Sequence, residues 1–357
     1  MKVVIVGGGL TGLCLTHQLH KNGHEVILLE ASEKLGGRFR YDNADLNFIV
    51  PSDESLKALE WLKSISATPI SWNEVDLQPT FFESNHWQSF LGFGDFPSKV
   101  VDELSMFTQS RQWQLTPGLE QVTRALIEQL PIEAKLLSEV TGFECKDDKI
   151  ESVIVNASDK ITADQFIFCL NPHLLSTFLP HDVLKPAHRS KLAKQPAWTA
   201  ATMMLQHADL QSTGEIRFVL GSGKEFEPVM GRVNGNRSVW LTLVNADQEE
   251  DVEHIGDCVR FIKRTLKRVW PELIDSAQSE KIQIRPQAYG HLDLKLKNGA
   301  FPELPNLLLA DGRLSPVKGD LACAAMAQEI ASLFSTAATS EVAEATTPVL
   351  SDSDLNK

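Results

Sequence analysis

The opening stretch Lys2-Val-Val-Ile-Val-Gly7-Gly8-Gly9-Leu10-Thr11-Gly12 constrains this chain more than any other segment. Val3 to Val6 is an unbroken apolar, mostly β-branched run, the pattern of a strand buried on both faces. Gly7 permits the tight turn out of the strand. Gly9 lets the backbone come close to a pyrophosphate, and Gly12 lets the following helix pack on the strand. The first amides of that helix, at Leu10 and Thr11, point at phosphate oxygens, and the helix dipole favours their charge. A second strand, His24 to Leu29, ends in Glu30. There a carboxylate accepts hydrogen bonds from ribose hydroxyls and repels a 2′-phosphate. A strand, a glycine turn, a helix, a strand and an acid in this order predict a dinucleotide site.

Glu30-Ala31 is followed by Leu35-Gly36-Gly37-Arg38. The whole stretch resembles the start of the FAD-dependent amine oxidases, the phytoene desaturases and the smaller renalase-like FAD oxidoreductases. The resemblance implies FAD, with Glu30, Ala31, Gly36, Gly37 and Arg38 along its ribose, pyrophosphate and ribityl chain. The chemistry agrees: Gly36 and Gly37 permit close backbone approach, and Arg38 offers a guanidinium to phosphate oxygens. Near the other end, Leu307-Leu-Leu-Ala310-Asp311-Gly312 precedes a helix expected from about Gly319 to Phe334. This resembles the C-terminal FAD motif of the same group. It implies that Asp311 binds the ribityl–pyrophosphate region and that the helix start, including Gly319 and Leu321, faces the flavin pyrimidine. A helix N-terminus there stabilises developing negative charge. The backbone at Val140 is implied to meet the adenine. The resemblance covers about 1–50, 113–175 and 284–335.

Catalytic candidates are fewer. Hydride transfer to flavin N5 needs substrate orientation rather than a triad. Tyr289 and His291 precede the second motif, where the resemblance brings side chains to the isoalloxazine: Tyr289 as a wall of the substrate cage, His291 as a proton carrier. A core or surface role is the competing reading of each. After Gly-Gly-Arg the group has a turn of small residues; this chain reads Ala44-Asp45-Leu46-Asn47-Phe48. Asn47 and Phe48 are therefore substrate-pocket candidates that narrow the pocket, select a flat substrate or block turnover. Cys323 falls inside the last helix, away from where monoamine oxidases attach FAD, so the FAD is expected to be non-covalent.

The 357 residues suffice for two domains. A net charge of −13 argues against a nucleic-acid groove or an anionic membrane surface. No apolar run reaches the roughly 20 residues of a membrane span. Five scattered cysteines and no secretion signal point to a reducing cytoplasm. Cys14, His17, His20 and His24 fall on and after the first helix and are better read as packing or surface residues than as metal ligands. Gly221-Ser-Gly-Lys224 lacks the first glycine and the Ser/Thr of a P-loop.

The expected architecture is α/β: a Rossmann-type FAD-binding domain with a discontinuous second α+β substrate domain. The first comprises 1–50, 113–180 and 284–335. The second comprises 51–112 and 181–283, with strands expected at 198–206, 215–220, 226–233 and 238–244 and a helix at 249–268. Residues 336–357 lack apolar periodicity and are expected to be disordered. The aromatics between Trp72 and Phe107 line an apolar cavity or form ordinary core. The functional expectation is an FAD-dependent oxidoreductase taking a hydride at N5 from a small amine or related C–H donor. Alternatives are a renalase-like oxidase of dihydronicotinamides, a desaturase of apolar substrates, and a non-catalytic FAD-binding protein.

Overall fold

Val3, Val4 and Ile5 are wholly buried because the strand Lys2–Val6 lies inside its sheet and both faces of that sheet are covered. The computed structural model describes residues 1–40, 48–93, 100, 104–105, 108–194, 197–208, 210, 215–219, 227–290 and 292–335. Asn47, His291 and 336–357 lie outside them. The central sheet runs in the order Ala300–Phe301, Leu304–Leu309, Gln165–Phe168, Lys2–Val6, Glu25–Leu29, and its last four strands are parallel. Alternation divides its two faces. Val3, Ile5, Leu28, Ile167 and Leu308 pack under the helices Leu10–Lys21, Asp53–Ile65 and Ala322–Ser332. Val4, Val6, Phe166, Phe168 and Leu309 pack on Phe143, Ile150 and Val153 of an antiparallel sheet formed by Val140–Lys146, Lys149–Val155 and Asp159–Thr162.

A seven-stranded sheet gathers Ala277–Gly290, Ala197–His207, Arg237–Asn245, Val229–Asn234, Glu215–Val219, Thr80–Glu83 and His86–Ser89, in that order. One face packs Met203, Val229 and Trp240 against Ile262, Leu266 and Leu273 of the helices Val252–Val269 and Pro271–Asp275. The other face carries Trp198, Met230, Leu241, Leu243 and Tyr289, with Phe48, Phe81, Phe90 and Phe93 packed against it. The strand Ala277–Gly290 runs without a break across the expected domain border between residues 283 and 284. A further antiparallel sheet pairs Arg111–Thr116 with Phe48–Ile49 and Ser71–Asp76.

Apolar residues at 3- and 4-residue spacing, Leu56, Leu59 and Leu62, Val252, Ile255 and Val259, and Met326, Ile330 and Leu333, lead the sequence to expect one buried side on each of these helices, and three of these residues depart from it. Leu56, Val252 and Leu333 are exposed. In the helix Val252–Val269 the buried stripe starts at Cys258 and continues through Ile262, Leu266 and Val269. The final helix begins at Ala322 rather than Gly319, because Gly319 holds a left-handed φ of 73°.

Candidate cofactor cleft

The two glycine turns are stacked on each other. The Gly36 amide donates to the Gly8 carbonyl at 2.8 Å, and a Cβ on Gly37 would stand 3.0 Å from the Gly9 Cα. Gly37 also holds φ 54°, so both its conformation and its contact require glycine. Gly12 is more constrained still: a Cβ there would fall 2.0 Å from the Gly7 carbonyl oxygen, on the underside of the first helix. Gly7 itself donates to the Leu29 carbonyl at 2.8 Å, tying the turn to the second strand.

Glu30 is held by its neighbours on both sides. Its Oε2 accepts from the Gly8 amide at 2.8 Å, and its Oε1 accepts from the Ser32 amide and hydroxyl at 2.9 and 2.7 Å. The carboxylate retains acceptor capacity for a hydroxyl. The segment before Val140 is bonded to the same edge, the Lys135 amide donating to the Leu28 carbonyl and the Ser138 amide to that of Glu30.

These groups border a cleft of about 900 Å³. Gly9, Leu10, Thr11, Glu30, Gly37 and Arg38 line it from the N-terminal side. Asp311 and Gly319 line it from the C-terminal side, and Tyr289 forms part of the wall contributed by the seven-stranded sheet. Gly7, Gly12 and Gly36 shape the turns from behind. Ala31 is exposed, and Val140 and Leu321 are core residues; none of the three borders the cleft. Phe48 packs with the Tyr289 cluster, its ring 3.0 Å from the Arg232 guanidinium carbon.

Four features of the cleft carry no sequence motif. Asp311 is gripped by Arg313, whose Nε and Nη2 meet Oδ1 and Oδ2 at 3.0 and 2.9 Å. Cys169 and Cys323 line the cleft, so Cys323, though inside the last helix, belongs to the site. Arg38 donates to Cys323 Sγ at 2.9 Å and lies 3.9 Å from Asp320, which also takes Arg285 at 2.6 Å. Arg285 in turn reaches the Tyr289 hydroxyl at 3.5 Å. Finally, Gln287 bridges Asn171 and Glu249, donating to the latter at 2.8 Å, while Glu249 accepts from the Thr199 hydroxyl at 2.6 Å. Only the residue types hinted at these contacts; their partners lie from 2 to 285 positions apart, with no fixed spacing.

Burial opposes the ionised Asp320 carboxyl, yet Arg285 and Arg38 outweigh it and hold its pKa below the usual carboxylate range. Burial likewise opposes the Arg38 charge, and Cys323 and Asp320 reverse the balance upward. The thiols of Cys14 and Cys169 are pushed well up by burial and remain protonated. Among the described residues no cluster of His, Cys, Asp or Glu is arranged to hold a metal ion, and no helix is long and apolar enough to cross a membrane.

The fit to a dinucleotide rests on this geometry: two stacked glycine turns, two helix N-termini, an oriented Glu30 and flanking guanidiniums. Residues 5–51 match the model of the NAD(P)-binding Rossmann-like domain. Thirty-seven residues are 65% identical to an L-amino acid oxidase of Cerastes cerastes, over 10% of this chain and 7% of that one. A longer match, 158 residues at 25% identity, covers 42% of this chain and 29% of the flavin-containing amine oxidase B of Bos taurus. Matches to curated relatives span between 4% and 43% of the relatives' lengths. Among solved structures, an oxidoreductase from Methanosarcina mazei superposes with a TM-score of 0.65 at 14% identity, covering 92% of this chain and 99% of that one. Putrescine oxidase bound to putrescine gives 0.62 at 13% identity, covering 95% and 99%.

The fold is that of the FAD-dependent amine oxidases. In that amine-oxidase fold the Rossmann sheet contributes the Glu30 and Asp311 ends of the cleft, and the seven-stranded sheet contributes Tyr289.

Proposed function

We propose that the chain is an FAD-dependent oxidoreductase in which a small amine or related C–H donor passes a hydride to flavin N5. The observation that carries this reading is a single cleft lined from both ends of the chain, by Gly9, Glu30 and Arg38 and by Asp311 and Gly319. In this reading Glu30 holds the adenosine ribose, Arg38 the diphosphate and Asp311 the ribityl chain, without a covalent link. When bound, the flavin supplies the two-electron acceptor. The protein's part is orientation and exclusion of water. Tyr289, 6% exposed and tethered by Arg285, offers a rigid wall for the donor, and Trp198 and Leu243 make the sheet behind it apolar. The FAD-binding part takes in 1–50, 113–180 and 284–335, and the substrate part 51–112 and 181–283. The proposal includes Asn47 at the pocket and His291 as proton carrier, both outside the described residues.

A second reading, an apolar donor, is favoured by the aromatic packing of Phe81, Phe90 and Phe93 against the Tyr289 cluster. The test is spectroscopic. Purified protein reconstituted with FAD is expected to show flavin bands, to release the flavin on acid precipitation, and to bleach anaerobically with an amine. Bleaching by polyenes or dihydronicotinamides alone would move the substrate class. Bleaching by dithionite but by no donor would leave a non-catalytic FAD-binding protein.

A further inference from the structure

Glu249 lines the cleft and differs from the other carboxylates that do so among the described residues. Glu30 is taken up by the Gly8 amide and by Ser32, and Asp311 by Arg313. Glu249 meets only neutral donors, one on each oxygen. Gln287 Nε2 donates to Oε1 at 2.8 Å, and the Thr199 hydroxyl donates to Oε2 at 2.6 Å. No cation pairs with it among the described residues.

The backbone is distorted to build this arrangement. Trp198 pairs with Tyr289 and Ala200 with Arg285, so Thr199 alone stands opposite Pro286, Gln287 and Ala288. Gln287 holds a left-handed φ of 46°, which a residue other than glycine adopts at a cost. Bulges re-aim side chains beside functional sites. Here Pro286, Gln287 and Ala288 all border the cleft next to Tyr289. The donors run in one direction. Asn171 Oδ1 accepts from the His173 amide at 3.1 Å, its Nδ2 donates to Gln287 Oε1, and Gln287 Nε2 is left for Glu249. The Gln287 backbone amide donates to Thr199 Oγ1 at 3.0 Å, so the hydroxyl proton goes on to Glu249. Each link ends on a carboxylate that keeps further lone pairs.

Glu249 is half-buried. A donor lying against Tyr289 and Gln287 takes this carboxylate further out of solvent, and a cationic group on the donor offsets that cost. A neutral donor does not offset it, and an anionic donor adds repulsion. We propose that Glu249 is the counter-ion of the donor's ammonium group and selects cationic donors over neutral ones. Gln287 and Thr199 are positioning residues that fix its two oxygens. The proposal rests on the FAD oxidoreductase reading above and narrows its donor to amines, against the apolar class.

The experiment is anaerobic titration of the FAD-loaded protein, read by the flavin spectrum, with butylamine and with 1-butanol as its neutral counterpart, for wild type, E249Q and E249D. Wild type is expected to respond to butylamine at far lower concentration than to 1-butanol. E249Q keeps the size and loses the charge. It is expected to weaken butylamine binding by about 10- to 100-fold, the scale of a charge-assisted hydrogen bond, and to leave 1-butanol binding and FAD retention unchanged. E249D keeps the charge and is expected to lose only several-fold. If E249Q does not fold, the wild-type salt dependence decides: butylamine binding must weaken as salt rises, and 1-butanol binding must not. Equal butylamine affinity in wild type and E249Q, or no preference of wild type for butylamine, overturns the assignment. Loss of FAD from folded E249Q also overturns it, by making Glu249 a cofactor ligand. Those failures occur with flavin bound to the wild type; a wild type that takes up no FAD overturns the FAD reading, and this proposal with it.

Discussion

A methyl group decides the fate of the first turn. A Cβ at Gly12 would lie 2.0 Å from the Gly7 carbonyl oxygen, a backbone atom fixed by its place between strand and helix. Gly12→Ala must therefore push the first helix away from the strand Lys2–Val6. The expected result is a loss of about 1–3 kcal/mol of stability, the usual range for overpacking, together with loss of retained FAD. Thermal unfolding and the ratio of flavin to protein absorbance check the two parts separately. His207 is a second single-residue control. It is 1% exposed, with its ring nitrogens against the hydroxyls of Ser276 and Ser238 at 2.9 and 2.7 Å. Burial lowers its pKa from 6.5, so the native state prefers the neutral ring. Its contribution to stability is complete above pH 6.5 and erodes as pH falls from there through the native pKa. His207→Gln removes the titration, so wild type should lose stability relative to the variant between about pH 7 and 5 in urea melts.

Elements meet at Asp320, between the Gly-Gly-Arg turn, the last helix and the strand Ala277–Gly290. Its carboxylate is shared by Arg38 and Arg285. Removing one partner of a buried ion pair leaves the other charge uncompensated, at a typical cost of about 3–5 kcal/mol. D320N is therefore expected to lower the thermal midpoint sharply at neutral pH. The native carboxyl pKa is depressed, so the wild-type advantage is present above the ordinary carboxylate range and lost as pH falls through the native value. A D320N deficit that stays constant down to acid pH would contradict this account. Elements also show what a linear pattern conveys. The Gly7–Gly12 turn and Gly37 were legible because each answers a local demand, a φ value or a close approach, at fixed spacing, whereas Glu30 was read from its place at a strand end and Asp311 from resemblance. The bridge of Gln287 from Asn171 to Glu249 was not legible, because that side-chain pairing follows from how separate elements meet in space, which no local period encodes. Leu56, Val252 and Leu333 sit near helix ends and stay exposed, where helical spacing alone would bury them.

For the whole molecule, the order of elements was more legible than their division. The parallel sheet, the hairpin Val140–Val155 and the antiparallel strands of the second sheet all follow apolar runs and turn residues in the sequence. Their joining was not legible, because Ala277–Gly290 serves both the substrate-side sheet and, through Tyr289, the cleft wall. One cleft between two sheets would make a cofactor bound there a structural part. FAD bound there would touch groups from residue 9 to residue 319, and a ligand that binds only the folded state stabilises it by mass action. At FAD concentrations a hundredfold above the dissociation constant the gain is about 2.7 kcal/mol. Removing FAD by acid ammonium sulfate and refolding should therefore lower the thermal midpoint, and added FAD should raise it progressively. Gln287→Ala, which cuts the bridge between Asn171 and Glu249, tests whether the two sheets respond together. If they are coupled through the cleft, the variant without FAD should unfold in two steps, or become cleavable by protease between the sheets, and FAD should restore a single transition. A midpoint that ignores FAD concentration in wild type would mean that the folded chain does not bind FAD, which overturns the FAD reading.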